Sequence, residues 1–529
     1  MKKTFLRLAL LAGAVALGGC EKFVDVNNNP NNPATTTPNY LLPSIISNGI
    51  QTQMFTALRT PYITQYVVSR TANSGGNDQY IFTNAQSTNT FNYSYFQSGG
   101  NIPPMIATAQ AEGSPYYVGA GKIMQAVILA HATDMLGDVP YTEAYQGSNN
   151  YTPKYDPQQQ IYATINQLCD EGIAQMQQPT SAEFRPLYST APSESGDILY
   201  KGDQNKWIRL AYALKARQAQ HLTKKSSYDP AAVLALCDKA FTSSADDAQL
   251  NYQVAVAPLA NTTNIFGITR SNFGTAVFSS NVVKYLNGTT FPGVVDPRWG
   301  ILVPTTSTGV DPGVGAVVNT NYTPNYFPPA NPAYTDFYGS WYARDLGYFE
   351  VITYHELKFI EAEAAFRAGN TTRALAALQA GIRAHMTKVG QGGTYSPPSV
   401  TFPTITTAQI NAYLASSAVP QTPQAVTLRS IMEQKYLAMF LNPESWSDLR
   451  RLDFDPQVYV NFTYPVGSSV NSVAVAQTDP KLRYPRRLAP GATEVTYNPA
   501  AVAQLYTDAG VANGTINEYV LKPLWFDRP

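Results

Sequence analysis

Amphipathic helix periodicity, recurring in separated pairs, constrains this chain more than any other feature. Over residues 205–221, Trp207, Leu210, Ala211 and Leu214 fall at i, i+3, i+4 and i+7, one face of a helix. Asp229-Pro230 then supplies a cap and a first-turn proline before a second apolar run, 231–241. The same pattern predicts helices over 119–136 and 157–176, with Gly137-Asp138-Val139-Pro140 as the stop between them. Residues 354–368 and 371–386 form a third pair around Gly369-Asn370, with Ala362, Ala374, Leu378 and Gly381 at tetratricopeptide-like spacing. Small residues there let paired helices approach closely, and such pairs complete one another's cores by stacking. A fourth region puts Leu428, Ile431, Met432, Tyr436, Met439 and Phe440 on one face and ends at Asn442-Pro443. The expected fold class is therefore mainly α: about four tetratricopeptide-like helix pairs in one domain, joined by long irregular loops that carry the ligand site.

Two insertions, 71–116 and 250–349, break the helical pattern with Gly, Pro, Asn, Thr and Tyr. Long loops of this kind in a compact protein are usually functional. The chain holds 35 tyrosines but only 14% charged residues, against a usual share of about 25%. Rings stack on the flat C–H faces of sugars, and neighbouring amides and carboxylates meet hydroxyl groups. A few polar groups among apolar ones is ordinary pocket chemistry. The candidate ligand residues are Asn77, Asp78, Tyr80, Tyr93 and Tyr95 in the first insertion, and Tyr338 and Trp341 in the second. Trp299, Tyr322, Tyr326, Tyr334 and Tyr342 share that second stretch. With 36 basic and 36 acidic residues the net charge is zero, so nucleic acid, which needs a concentrated positive footprint, is not an expected partner.

At the N-terminus, Lys2, Lys3 and Arg7 precede an apolar run from Leu8 to Leu17, and Leu17-Gly18-Gly19-Cys20 follows. This describes a secretory signal, 1–19, too short to span a bilayer. The cysteine directly after Leu-Gly-Gly resembles the bacterial lipobox, which predicts lipidation of Cys20. Residues 20–38, rich in Asn and Pro, read as a lipidated tether, and 39–529 as the helical domain. Cys169 and Cys237 both lie in apolar helical patterns, which predicts buried free thiols, although an oxidising compartment also permits their pairing.

Catalytic and cofactor motifs fail at specific residues. His355-Glu356 begins a zincin-like pattern, but Phe359 stands where the second histidine belongs. Gly121-Lys122 is followed by Ile123 where a phosphate loop needs Ser or Thr. His131, His221, His355 and His385 all fall within helical patterns, which favours structural roles. No cofactor or metal site is expected. Glu356 and Glu363 share a helix face and could act as a hydrolase's carboxyl pair. Their two-turn separation is about 10.5 Å along the axis, however, and Arg429, Arg450 and Arg451 are the favoured partners for buried structural pairs.

Several segments together resemble the SusD/RagB family of nutrient-binding outer-membrane lipoproteins, in the branch whose mature chains begin with Asn-Pro repeats. They are Cys20, Asn27 to Pro33 followed by Tyr40-Leu41-Leu42-Pro43, and Met135-Leu136-Gly137-Asp138-Val139-Pro140-Tyr141-Thr142-Glu143-Ala144. Thr353 to Ala364, Glu444 to Arg451 and Arg483 to Leu488 continue the match. His355 and Leu357 depart from the family's more usual residues there. The resemblance implies a glycan- or peptide-binding protein and not an enzyme, facing the cell exterior on its lipid anchor. It implies a SusC-like TonB-dependent transporter as partner, on which the protein sits as a lid. It also implies that loops between the first helices and before the third pair supply the ligand contacts. The rival readings are a secreted glycan hydrolase using Glu356 and Glu363, and a helical-repeat scaffold that binds only protein.

Overall fold

The computed structural model describes residues 36–69, 77–191, 196–254, 262–307, 309–311, 337–396, 399–465 and 479–529. Cys20, most of the tether, and Tyr322, Tyr326 and Tyr334 lie outside the described residues. Helix α1 (Pro38–Thr56) starts on a first-turn proline and keeps Leu42, Ile45, Ile46 and Ile50 fully inside. Amides and hydroxyls share its buried face, and Pro43 lies within it, so its apolar periodicity is faint in the sequence. Two helices, α2 (Ala85–Asn92) and α3 (Ile102–Ala111), occupy part of the first insertion, where helical periodicity was weak.

The predicted pairs follow. Helix α4 (Pro115–Leu136) begins one turn earlier than the apolar run suggests and stops at Gly137, whose φ of 94° suits glycine. It packs on α5 (Gln158–Met176). A Cβ on Gly119 would come within 3.0 Å of the Gly172 carbonyl, so two glycines permit the close crossing. Helix α6 (Gln204–His221) is capped by Asp203, and α7 (Pro230–Cys237) by Asp229, which accepts from the Ala231 N–H at 2.8 Å. Helix α8 (Tyr354–Arg367) is capped by Thr353, and α9 (Thr371–Val389) by Asn370. The ring of Phe359 fills the space a side chain at Gly381 would need. Helix α10 (Leu428–Ala438) carries a mutual Thr427–Ser430 cap and is followed by α11 (Glu444–Arg451). Near the C-terminal end a short helix, α12 (Ala492–Tyr497), returns to α2, and helices over Pro499–Asp508 and Ile516–Tyr519 follow it. Adjacent contacts run α1–α4–α5–α6–α7–α8–α9–α10, a continuous tetratricopeptide-like stack. Cys169 and Cys237 are free and buried in it.

Three antiparallel two-stranded ribbons accompany this stack, two of them joining the second insertion to it. Strand β1 (Val67–Ser69), β2 (Ala248–Asn251), β3 (Ala276–Phe278), β4 (Tyr348–Ile352), β5 (Gln391–Tyr395) and β6 (Val400–Thr404) pair as β1–β3, β2–β4 and β5–β6. The scaffold's centre is ionic as well as apolar. Arg217 grips Glu356 with two bonds of 2.6 Å, and Arg451 grips Glu363 at 2.7 and 2.6 Å, with Arg367 on the same carboxylate at 2.8 Å. Arg450 instead donates to the main-chain carbonyls of Asp134 and Arg486, and Arg429 pairs with Glu433 on its own helix. Of the three arginines expected to meet the α8 glutamates, only Arg451 does so.

Candidate functional site

Three chain segments far apart in sequence enclose a cleft of about 680 Å³. The first is the end of α2 and the turn that follows it. Tyr93–Gln97 winds as a single π-helical turn, in which the Ser98 N–H reaches the Tyr93 carbonyl at 3.1 Å. Such turns insert a residue into the helix and re-aim its side chains. Here Tyr93 and Tyr95 leave in different directions. Tyr93 packs against Phe55, with ring centres 5.0 Å apart, whereas Tyr95 lines the cleft, stacked on Phe91 at 4.4 Å. Phe96 stands 76% exposed at the rim.

The second segment is the loop between α4 and α5. Asp156 closes its neck: the Tyr141 and Thr142 N–H groups donate to Oδ2 at 2.8 Å, the Thr142 hydroxyl donates to Oδ1 at 2.7 Å, and Val139 bridges to Asp156. The Met135 to Ala144 motif thus fixes where the loop leaves the scaffold. Within the loop, Tyr145 adopts φ 62°, a left-handed conformation disfavoured outside glycine, and stacks on Tyr95 at 5.7 Å. Gly99 makes room for it, since a Cβ there would collide with the Ser94 carbonyl and approach the Tyr145 hydroxyl to 2.7 Å. Tyr151, also 76% exposed, faces the cleft beside Asn150 and Pro153.

The third segment is α12. The Ala492 N–H donates to the Asn84 carbonyl and to Thr88 Oγ1, and Thr493 Oγ1 donates to Asn92 Oδ1 at 3.2 Å. This seats Glu494 in the cleft wall. Glu494 Oε2 accepts from the Tyr155 hydroxyl at 2.7 Å and from Asn498 Nδ2 at 3.4 Å, and Asn498 Nδ2 also donates to the Pro153 carbonyl. Burial pushes the Glu494 carboxyl above its ordinary pKa, and the two neutral donors only partly offset that. Ring faces, the amides of Asn92, Asn101 and Asn150, and one carboxylate make a surface suited to stacking and hydrogen bonding.

Of the residues singled out from sequence, only Tyr95 lines this cleft. Asn77 and Asp78 form a buried turn against β1, where Asn77 accepts from Arg59 and Gln86, and Asp78 from the Ser69 N–H. Tyr80 is 0% exposed, its ring edge-on to Tyr464. Tyr338 packs against Phe337 in the core. Trp341, 2% exposed, lies under the Arg344 guanidinium at 3.5 Å. Phe96, Tyr145, Tyr151 and Glu494 were not singled out from sequence. Tyr145 and Tyr151 flank the turn-rich Gly147-Ser148-Asn149-Asn150 immediately after the Met135 to Ala144 motif, which is a usable signal.

Two further clefts of about 520 Å³ each carry less. One, between 293–299 and 403–416, has half-buried Trp299 as its most open ring. In the other, Lys388 is held by Asp247 at 2.7 Å and Glu350 at 2.6 Å. The hydrolase reading fails on the geometry, because Glu356 and Glu363 are both 0% exposed and closed by bidentate arginines. Asp134, His221 and Glu444 bring metal-ligating atoms within 4.8 Å of one another. His221 Nε2 meets Glu444, however, and Nδ1 lies 3.2 Å from the Tyr162 hydroxyl and 3.4 Å from Asp134. Burial alone would lower the imidazolium pKa, but Glu444 and Asp134 outweigh it and raise it to about 9.

A family model for SusD-like proteins, described as starch-binding and associating with the outer membrane, matches residues 30–478. Among solved structures, a chitin-binding SusD homologue from Flavobacterium johnsoniae is 19% identical with a TM-score of 0.66, covering 93% of this chain and 96% of its own. A SusD/RagB family protein from Bacteroides thetaiotaomicron is 22% identical with a TM-score of 0.65, over 93% and 99%. A SusD homologue from Bacteroides fragilis is 18% identical with a TM-score of 0.66, over 93% and 100%. No curated protein matches the chain. Among the described residues, no helix is long and apolar enough to cross a membrane.

Proposed function

The chain belongs to the SusD-like family, and on that premise we propose that it captures an oligosaccharide nutrient in the aromatic cleft and delivers it to a SusC-like TonB-dependent transporter. Lipidated Cys20 anchors it to the outer membrane, with the cleft facing the cell exterior. It binds its ligand and does not cleave it. The observation that carries this reading is the cleft itself, where Phe96 and Tyr151 hold most of their ring surface open to solvent beside amides. Exposed rings cost hydration that a sugar's C–H face recovers by stacking. The chitin-binding relative supports a saccharide over a peptide. Tyr95 contacts the ligand through its cleft-side edge, whereas Tyr80, Tyr338 and Trp341 serve the packing beneath the loops.

The test begins with the Cys20→Ala form, expected in the soluble fraction; its retention in the membrane fraction would overturn the anchor. On a glycan and peptide array it binds one or more oligosaccharides, which are recovered intact after incubation. Phe96→Ala or Tyr151→Ala weakens that binding roughly fivefold, in line with the ~0.5–1.5 kcal/mol of a ring contact, with no change in melting temperature. If no saccharide binds, or both variants bind like the parent, the reading is wrong.

A further inference from the structure

Resting on the reading of the cleft as a saccharide site, we propose that Glu494 makes it selective for a protonated amino sugar over N-acetylated and acidic counterparts. Glu494 is the one charged side chain in the lining described above, which holds no lysine or arginine. Lys154, next to lining residue Pro153, is turned onto Glu143, with Nζ 3.4 Å from Oε1. The two donors that reach Glu494, the Tyr155 hydroxyl and the Asn498 amide, are neutral and both use Oε2. Among the described residues no group donates to Oε1.

The glutamates of the scaffold show how unusual this is: Glu356, Glu363, Glu433 and Glu444 each face an arginine or the charged histidine. Glu494 is half-buried, desolvated and without a counter-ion. Around it stand Tyr95, Phe96, Tyr145 and Tyr151, whose ring faces are electron-rich and attract cations. A carboxylate oxygen with free acceptor capacity, set among such rings, complements an ammonium group on a sugar ring. An acetamide at the same position loses the charge, and a uronate meets repulsion from a carboxylate that no cation neutralises.

Tetramers of glucosamine, N-acetylglucosamine and galacturonic acid, titrated calorimetrically into the Cys20→Ala form at neutral pH and low salt, test this. Glucosamine binds on the order of fivefold tighter than its N-acetyl counterpart, and the uronate gives no measurable heat. In Glu494→Gln, which keeps an acceptor for Tyr155, the glucosamine preference falls to near one. Should that variant melt lower than the parent, salt reads the same quantity in the parent, where the preference shrinks as ionic strength rises. A preference that survives both Glu494→Gln and high salt overturns the inference while Tyr151→Ala, weakening all sugars together, keeps the cleft as the site. Unchanged affinities in Tyr151→Ala remove the site and the inference together. Binding of a lysine oligomer with no saccharide bound does the same.

Discussion

The centre of the helix stack and the wall of the cleft use the same residue types to opposite ends. In the stack, Glu356, Glu363 and Glu444 are sealed from water, each matched by a cation with short, often bidentate bonds. In the cleft, Glu494 is half open and matched by none. Tyrosines divide likewise: Tyr66 is fully buried and bonded to the Tyr436 carbonyl at 2.7 Å, whereas Tyr151 stands mostly in solvent. A chain with few charges places many of them inside, in pairs, and leaves the wall of the cleft to rings and amides. Charged residues here define the scaffold, and their near-absence defines the site.

The sharpest way to break that division is to remove a scaffold charge. Arg451→Ala leaves Glu363 buried with Arg367 as its remaining hydrogen-bonded cation among the described residues, and a denaturant titration should show about 3–5 kcal/mol lost. Trp341→Ala, in the insertion yet buried, should also cost about 3–5 kcal/mol. Its ligand affinity, measured where the variant is folded, should match the parent's, the reverse of Tyr151→Ala. A milder lever is pH. Because His221 is held charged in the folded state up to about 9, its contribution is fully present below the ordinary histidine pKa of about 6.5. It is lost as pH rises through 9, so thermal melts of the parent should fall over that window. His221→Gln should flatten that fall; an unchanged slope in the variant would assign it to another group.

Much of the scaffold was legible in the sequence because helix pairs write themselves locally. Trp207, Leu210, Ala211 and Leu214 declare a face within eight residues, and α6, α8 and α9 begin within one residue of where periodicity and caps put them. The Arg451–Glu363 pair could be anticipated from two charged residues on apolar helices, which must find partners inside. The site was far less legible. Ring density drew attention to Tyr80, Tyr338 and Trp341, but a tyrosine or tryptophan in a Gly- and Pro-rich stretch packs inward as readily as outward. Only tertiary contacts decide which, and here they bury all three. The cleft's own residues come from the ends of α2, a loop after α4 and a helix near the C-terminus, and no local pattern joins them.

The bond from Tyr155 to Glu494 spans 339 positions of chain. A contact that distant repays its loop-closure entropy only when most of the intervening structure is in place. The third wall of the cleft is therefore added by a segment that leaves the ribosome among the last. A chain in which α12 has not docked presents a groove open on one side, without the Glu494 carboxyl in its wall. On the reading proposed above, ligand capture would report on the docking of α12, a segment close to the C-terminal end.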